Sequence, residues 1–431
     1  MGSATPSCVR LAALAVALLA PPQQNPSATA KLAAIKVTGS HRYRGADIAA
    51  TSGLHVGDSV TREEIDRAAN QLLELGPFTS AYYHFTSSGE SLYLEFQVED
   101  APAVPVSFDN FPWFTDAELT DAIKQAVTLF DGTAPEQGTI LEQITQALEK
   151  LMVTRDIHAK VERTLVAQPA SEQMMQQFRV EGASLRIEAV EFGDALASRS
   201  SRVQDRLSDL VGKPYSRFAV ELFAHEQVRP LYLERGHLRA RIGRPTVRFS
   251  GEPNRPLPDR VIVIVPIDPG PAYRWGGVAW NGNQVFTSTA LDEFMGLKRD
   301  EVANGAKIAG GYLRVRDEYG RRGYLDVKFD PKPSYDDAAQ RVSYSVAFTE
   351  GVQYRLGELV ITGLSLTAEH KLQGAWRLAR GQIFDRLYFD EFLATGIKQA
   401  FADYVVNYNE VGHWLRTEPS TRTVHVLLDF K

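Results

Sequence analysis

Thirteen residues that begin at Gly270 return 81 residues later, without a gap, beginning at Gly351. Gly270, Tyr273, Arg274, Gly276 and Gly282 recur as Gly351, Tyr354, Arg355, Gly357 and Gly363, and the apolar positions between them keep one alternation. A period of this size confines the chain to one kind of architecture: each copy must be a supersecondary unit, and the units must follow one another along the sequence. Weaker copies extend the pattern. Ile35-Lys-Val37-Thr-Gly39 and Ile361-Thr-Gly363 read as alternating strands closed by a turn glycine. Eighteen residues after each glycine comes another, in Leu54-x-x-Gly57 and Leu378-x-x-Gly381. Ile187 to Gly193, followed by Leu210-Val-Gly212, is a third instance.

The first copy shows what one unit contains. Thr61-Arg-Glu-Glu64 predicts a capping box, Ile65, Ala68, Ala69, Leu72 and Leu73 share one helical face, and Gly76-Pro77 ends that helix. Tyr83 and Phe85 then alternate, as do Leu92, Leu94, Phe96 and Val98, which predicts two strands. In later copies the second strand is expected to open at Arg235-Gly236-His237 and at Arg322-Gly323-Tyr324, and last strands are expected at 261–265, 342–348 and 423–430. Gly39, Gly57, Gly282, Gly363 and Gly381 are expected to serve folding, through positive φ or a close backbone approach.

The order strand, helix, helix, strand, strand, the Leu-x-x-Gly turn, and the junction Phe348-Thr-Glu350-Gly351-x-x-Tyr354-x-x-Gly357 together resemble polypeptide-transport-associated (POTRA) domains. The chain resembles the periplasmic part of the BamA-like barrel-assembly proteins of bacterial outer membranes, whose inter-domain joint that junction looks like. The resemblance implies an α+β chain: a tandem array of five β-α-α-β-β units, each a three-stranded mixed sheet covered on one face by two helices. The units are placed at 31–100, 101–183, 184–271, 272–351 and 352–431. The second is divergent, because Val106 to Asn110 replaces the strand-glycine signature and Asp131 to Gly138 only loosely matches the turn between helices. Barrel-assembly proteins continue from their last POTRA unit into amphipathic strands, whereas this chain stops at Lys431, so it is read as the unit array without the barrel, whether natural or truncated.

Residues 1–30 read as a secretory signal: Arg10, an apolar run from Leu11 to Ala20, and a small-x-small site at Ala28-Thr29-Ala30. Cys8 is the single cysteine, so a mature chain starting near Lys31 has no thiol and suits an oxidising compartment, here the periplasm. A formal charge of −6 gives no basis for nucleic-acid binding. The chain lacks the nucleophile-elbow, paired-histidine metalloprotease, phosphate-loop and dinucleotide motifs, and its nine histidines are scattered. His225-Glu226 lacks a second histidine one turn on, and Asp336-Asp337 reads as a solvated turn. The expectation is a binding protein that is not an enzyme and has no metal or cofactor.

For POTRA units the resemblance implies that the second strand is an exposed edge, able to receive an extended chain by strand addition. The candidates on this reading are Tyr82, Tyr83 and Phe85, then His237, Leu238 and Arg239, then Tyr324, Leu325 and Val327. Tyr83 and Phe85 are expected to be core, with Tyr82 exposed. The expected partners are unfolded or extended outer-membrane polypeptides, with an outer-membrane barrel protein or assembly lipoproteins beside them, and at most peripheral membrane contact. Tyr273 with Arg274, and Tyr354 with Arg355, are expected to pack between consecutive units. The arginine groups at 235–248 and 314–322 are read as solvated faces paired with nearby acids. The competing reading is a structural spacer whose sheet edges are blocked.

Overall fold

The structure is a computed structural model that describes residues 29–168, 173–182, 185–250 and 260–431. Of the leader read at residues 1–30, residues 1–28 lie outside these described residues, and Ala30 already opens a strand. The chain divides into two compact bodies, residues 1–183 and 184–431.

In the first body, β1 (Ala30–Thr38), α1 (Gly45–Thr51), β2 (Ser59–Val60), α2 (Arg62–Leu75), β3 (Phe78–Ser88) and β4 (Ser91–Asp100) form one sheet with its two helices. The sheet order is β2-β1-β4-β3, with β1 parallel to β4 and β3 antiparallel to β4. α2 begins where the side chain of Thr61 accepts from the Glu64 amide and Glu64 accepts in return from the Thr61 amide, and it ends at Gly76, whose φ of 103° is left-handed. Its inner face buries Ile65, Ala68, Ala69, Leu72 and Leu75 against Leu92, Leu94, Phe96 and Val98 of β4. Full burial of one such leucine is worth about 1.5–3 kcal/mol.

β5 (Val104–Asp109), α3 (Asp116–Ala126), β6 (Thr133–Ala134), α4 (Ile140–Val153), β7 (Val161–Ala167) and β8 (Met174–Val180) repeat the plan with order β6-β5-β8-β7. In each of these sheets a two-residue strand adds a fourth member to the expected three. One continuous apolar core runs from Leu32 to Val180, so the two sheets of this body are not separate beads. Where they meet, a Cβ on Gly76 would lie 2.3 Å from the Gln137 carbonyl oxygen, and Arg42 pairs with Asp131 at 2.9 Å.

The divergence of the second copy has a physical basis. Gly39 follows β1 with φ 98° and its Cα faces the Val98 carbonyl of the last strand. Asn110 occupies the same place after β5 with φ 47°, and its side-chain amide both donates to the Val180 carbonyl (2.9 Å) and accepts from the Val180 amide (2.7 Å). Asparagine is one of the few residues besides glycine that enters this region readily.

The second body opens with β9 (Arg186–Phe192), α5 (Ala195–Arg199), α6 (Ser201–Arg206), α7 (Arg217–Phe223), α8 (Arg229–Leu233), β10 (Arg241–Ile242), β11 (Thr246–Ser250), β12 (Arg260–Val265) and β13 (Ile267–Asp268). A π-helical turn, Ala224–Val228, joins α7 to α8. β11-β12-β9 form a sheet, while β10 and β13 make a separate short ribbon. There follow β14 (Arg274–Asn281), α9 (Ser288–Met295), α10 (Gly305–Arg321), β15 (Lys328–Asp336) and β16 (Arg341–Thr349), in order β14-β16-β15. Last come β17 (Arg355–Thr362), α11 (Leu366–Ala375), α12 (Arg386–Glu391), α13 (Ile397–Ala400), β18 (Val411–Glu418) and β19 (Thr423–Phe430), in order β17-β19-β18. The fold is α+β throughout: small mixed sheets in which first and last strands run parallel and the middle strand runs antiparallel at the edge.

Candidate functional site

An edge strand offers N–H and C=O groups on its unpaired side, and the register of its pairing decides which residues offer them. β3 and β4 are joined by a two-residue turn with Ser88 opposite Ser91, so alternation turns the backbone groups of Ala81, Tyr83, Phe85 and Ser87 away from β4. No proline interrupts this row, and the eleven residues of β3 carry no Lys, Arg, Asp or Glu. Natural sheets normally blunt such an edge with charges, proline or shortness. β3 uses none of these.

Its side chains divide between two faces. Tyr83 and Phe85 are half-buried, their rings stacked at 6.4 Å, and the Tyr83 hydroxyl donates to Asp66 of α2 at 2.5 Å. Burial, with that carboxylate as a second cause, raises the Tyr83 pKa. Tyr82 stands on the opposite face, 68% exposed, together with Tyr93 at 48%. The edge thus carries an aromatic rim while its backbone stays accessible.

The other expected edges are placed differently. Tyr324, Leu325 and Val327 precede the strand, which opens only at Lys328, and His237, Leu238 and Arg239 lie in a turn before β10, with the sheet edge supplied instead by β11. The reason is the glycine just before each triplet: Gly236 and Gly323 hold left-handed φ of 86° and 79° and fold the chain into a tight turn. These residues serve the joints between successive segments. Leu238 packs on the core built from residues 273–346, and Leu325 packs on the core built from 354–430.

The joints share one construction. The Tyr273 amide donates to the Gly236 carbonyl (2.9 Å) and the Ala303 amide donates to the Tyr273 carbonyl (3.0 Å); the Tyr354 amide donates to Gly323 (2.8 Å) and the Phe384 amide donates to Tyr354 (3.0 Å). Both tyrosine rings are almost fully buried. The Tyr273 hydroxyl donates to Asp337 at 2.6 Å and accepts from Arg239 at 3.2 Å, while the Tyr354 hydroxyl donates to Asp326. The Tyr273 hydrogen bond, aided by Arg239, holds the Asp337 carboxyl below the usual carboxylate range. Asp337 is therefore a joint residue and not only part of a solvated turn. Arg274 and Arg355 do not join neighbours: each guanidinium donates back within its own segment, to the Asp300 carbonyl (2.8 Å) and the Gly381 carbonyl (2.9 Å), as Arg186 does to Gly212 (2.8 Å). Asp300, with φ 66°, stands where Gly57 and Gly381 stand in other copies.

Most of the clustered arginines also have structural partners. Arg248 pairs with Glu191 (3.0 Å), Arg321 with Glu318 (3.3 Å), and Arg314 donates to the Phe294 and Met295 carbonyls.

β15 presents the opposite edge chemistry. Pro331 and Pro333 sit two residues apart within an unbroken ladder to β16, so their nitrogens must face the free side. Of the four outward positions, Phe329, Pro331, Pro333 and Tyr335, two have no N–H to offer. Among the described residues no group of three or more His, Cys, Asp or Glu is placed to hold a metal ion, and no helix is long and apolar enough to cross a membrane.

The POTRA family model, described as surface antigen variable number repeat, matches residues 273–351. A curated relative from Treponema pallidum (strain Nichols), whose name places it among outer membrane protein assembly factors, is 26% identical over 168 residues, 38% of this chain. The match spans only 20% of that protein's own length. Among solved structures, POTRA domains 3–5 of Haemophilus influenzae BamA cover 57% of this chain and 96% of their own, at 18% identity and a TM-score of 0.41. POTRA domains 1–3 of Omp85 from Anabaena cover 57% and 94%, at 12% identity and a TM-score of 0.24. The family match falls on β14 to β16 and the same connectivity recurs on either side, so residues 273–351 match the POTRA family and the chain resembles, over 168 residues, an outer membrane protein assembly factor.

Proposed function

We propose that this chain is a periplasmic scaffold for outer membrane protein assembly, and that it receives extended polypeptide by strand addition to the free edge of β3. The observation that carries the reading is the contrast between two edges of one chain. β15 is closed by two prolines, whereas β3 offers an uninterrupted, uncharged row of outward backbone groups beside exposed Tyr82. Backbone pairing gives an affinity nearly independent of client sequence, and alternate side chains give selectivity. The family match and the Treponema relative support the setting.

A spacer role is favoured for residues 272–351, where the edge is closed and buried tyrosines lock the joints on both sides. The two roles then divide along the chain. A photo-activatable residue at Ser87 of the full chain, irradiated in the periplasm, tests the reading against the same residue at Ser334. Crosslinks to barrel precursors from Ser87 and none from Ser334 are expected. Equal crosslinking from both positions would defeat the edge argument.

A further inference from the structure

In the last sheet the helices cover one face, and the strand register decides which side chains the other face presents. Val424, Val426, Leu428 and Phe430 of β19 are buried on the helix side, so Leu427 turns to the open side. Val360 of β17 and Trp414 of β18 are its cross-strand neighbours. The three make one apolar row across all three strands, with Val360 42% and Trp414 51% exposed.

The matching places elsewhere in the chain are polar or small. In the sheet of β14, β16 and β15 they hold Ala279, Ser345 and Lys332. The open side of the β11-β12-β9 sheet is crossed by the Arg248–Glu191 pair (3.0 Å), and that of the first sheet by Lys36, Glu95 and His84. Single exposed apolar residues are ordinary, whereas a continuous apolar row rimmed by polar groups marks a contact surface.

Two glycines flatten this face. A Cβ on Gly412 would lie 2.7 Å from the Trp414 ring, and a Cβ on Gly357 would lie 2.8 Å from the His425 ring. The indole and the imidazole therefore lie along the sheet instead of standing off it. A flat, partly apolar face of this kind suits a second sheet packed about 10 Å away.

The rows on either side say which sheet. On one side stand Glu358, His425 and Arg416, and on the other Thr362, Asp429 and Gly412. Let a second copy of the chain pack on the first about a two-fold axis that runs along the apolar row. Each apolar residue then meets itself, His425 meets Asp429 of the other copy, Glu358 meets Thr362, and Arg416 reaches the indole that lies over Gly412. Within these three rows no like charges face each other.

We propose that the open face of the last sheet is a self-association surface, on which two copies of this chain pair by a two-fold, sheet-on-sheet contact. Strand spacing and rise give the face roughly 300 Å². That is well under the ~800 Å² per partner of a standard stable interface, so the dimer is weak and exchanges with monomer. The contact uses a sheet face and no strand edge, so it stands independently of the β3 reading.

Sedimentation velocity of the full chain tests it, with a shift from monomer toward dimer expected between about 20 μM and about 1 mM. Trp414→Lys, which installs the residue type found at the matching place in β15, should hold the chain monomeric. Val360→Lys, on a different strand, should do the same and so separates a lost contact from a lost fold. Arg416→Ala should weaken the dimer about tenfold, because the symmetric contact is lost twice. With Cys8→Ser as background, Leu427→Cys should give a covalent dimer with a short bis-maleimide linker, and Ser345→Cys should not. Dimers indifferent to both lysine variants, or equal crosslinking from the two cysteines, would overturn the assignment. A chain still monomeric at about 1 mM would overturn it too and leave the face to a different partner. Self-association abolished by Ser87→Pro but untouched by Trp414→Lys would place the contact at the β3 edge, overturning this proposal and leaving the first one standing.

Discussion

Replacing Asn110 should be among the most damaging single changes in the first body, and the structure fixes why. Its side chain makes two hydrogen bonds to the backbone of Val180, at 2.7 and 2.9 Å, where Val180 is 1% exposed and Asn110 only 5%. Asn110→Ala removes both bonds and leaves a buried N–H and a buried C=O without a partner, each costing about 1–3 kcal/mol. It also forces alanine into left-handed backbone, a further cost of about 1 kcal/mol. The expected loss is about 3–7 kcal/mol, a large share of the roughly 5–15 kcal/mol that stabilises an ordinary domain. Asn110→Gly keeps the backbone conformation, so it should lose about 1 kcal/mol less. Urea unfolding of the full chain, with amide hydrogen exchange read at Val180, measures both variants. A loss under about 0.5 kcal/mol for alanine, the scale of an ordinary surface change, would refute the argument. So would equal stability of the alanine and glycine variants.

Further outcomes follow from other residues. Pro331→Thr with Pro333→Thr restores two outward N–H groups on β15, and sedimentation should then show more self-association than in the parent chain. Arg355→Ala removes a guanidinium bond to the Gly381 carbonyl at 2.9 Å and should cost about 1 kcal/mol by urea unfolding, with no change in peptide binding at β3. Asp194 is held below its ordinary value of 3.8 chiefly by the hydrogen bond it accepts from Tyr232. Its contribution is complete above that value and lost as pH falls through the lower folded value, so Asp194→Asn should flatten this part of the acid-unfolding curve. Tyr43 behaves in the reverse sense: burial, and then Asp131, push it from 10.0 up to about 12. Its stabilising share is complete below pH 10 and lost on going up to about pH 12, and Tyr43→Phe should remove that step from an absorbance titration.

The parts of the fold that rest on local chemistry were legible in the sequence. The capping box at Thr61 and Glu64, the burial of alternate residues in β4 and the last strand Thr423–Phe430 all depend on neighbours a few positions away. The second strands of the later copies were not legible. Gly236-His237 and Gly323-Tyr324 look like strand openings because a glycine precedes an aromatic or imidazole ring, yet the positive φ of each glycine serves a joint whose other half is Tyr273 or Tyr354. That partner lies more than thirty residues on, so no local pattern reveals it. Two sequence features do carry a signal. Asn110 and Asp300 each stand where other copies have glycine, and both belong to the residue types that tolerate left-handed backbone. The prolines of β15 were visible too, and they separate a closed edge from an open one.

The most direct test of the central claim follows the backbone amides of the labelled full chain during titration with an extended peptide taken from an outer-membrane barrel strand. The account predicts shifts at Ala81, Tyr83, Phe85 and Ser87, none along β15, and loss of the β3 shifts in Ser87→Pro. Shifts along β15, or a β3 that stays silent at peptide concentrations of about 1 mM, would contradict it.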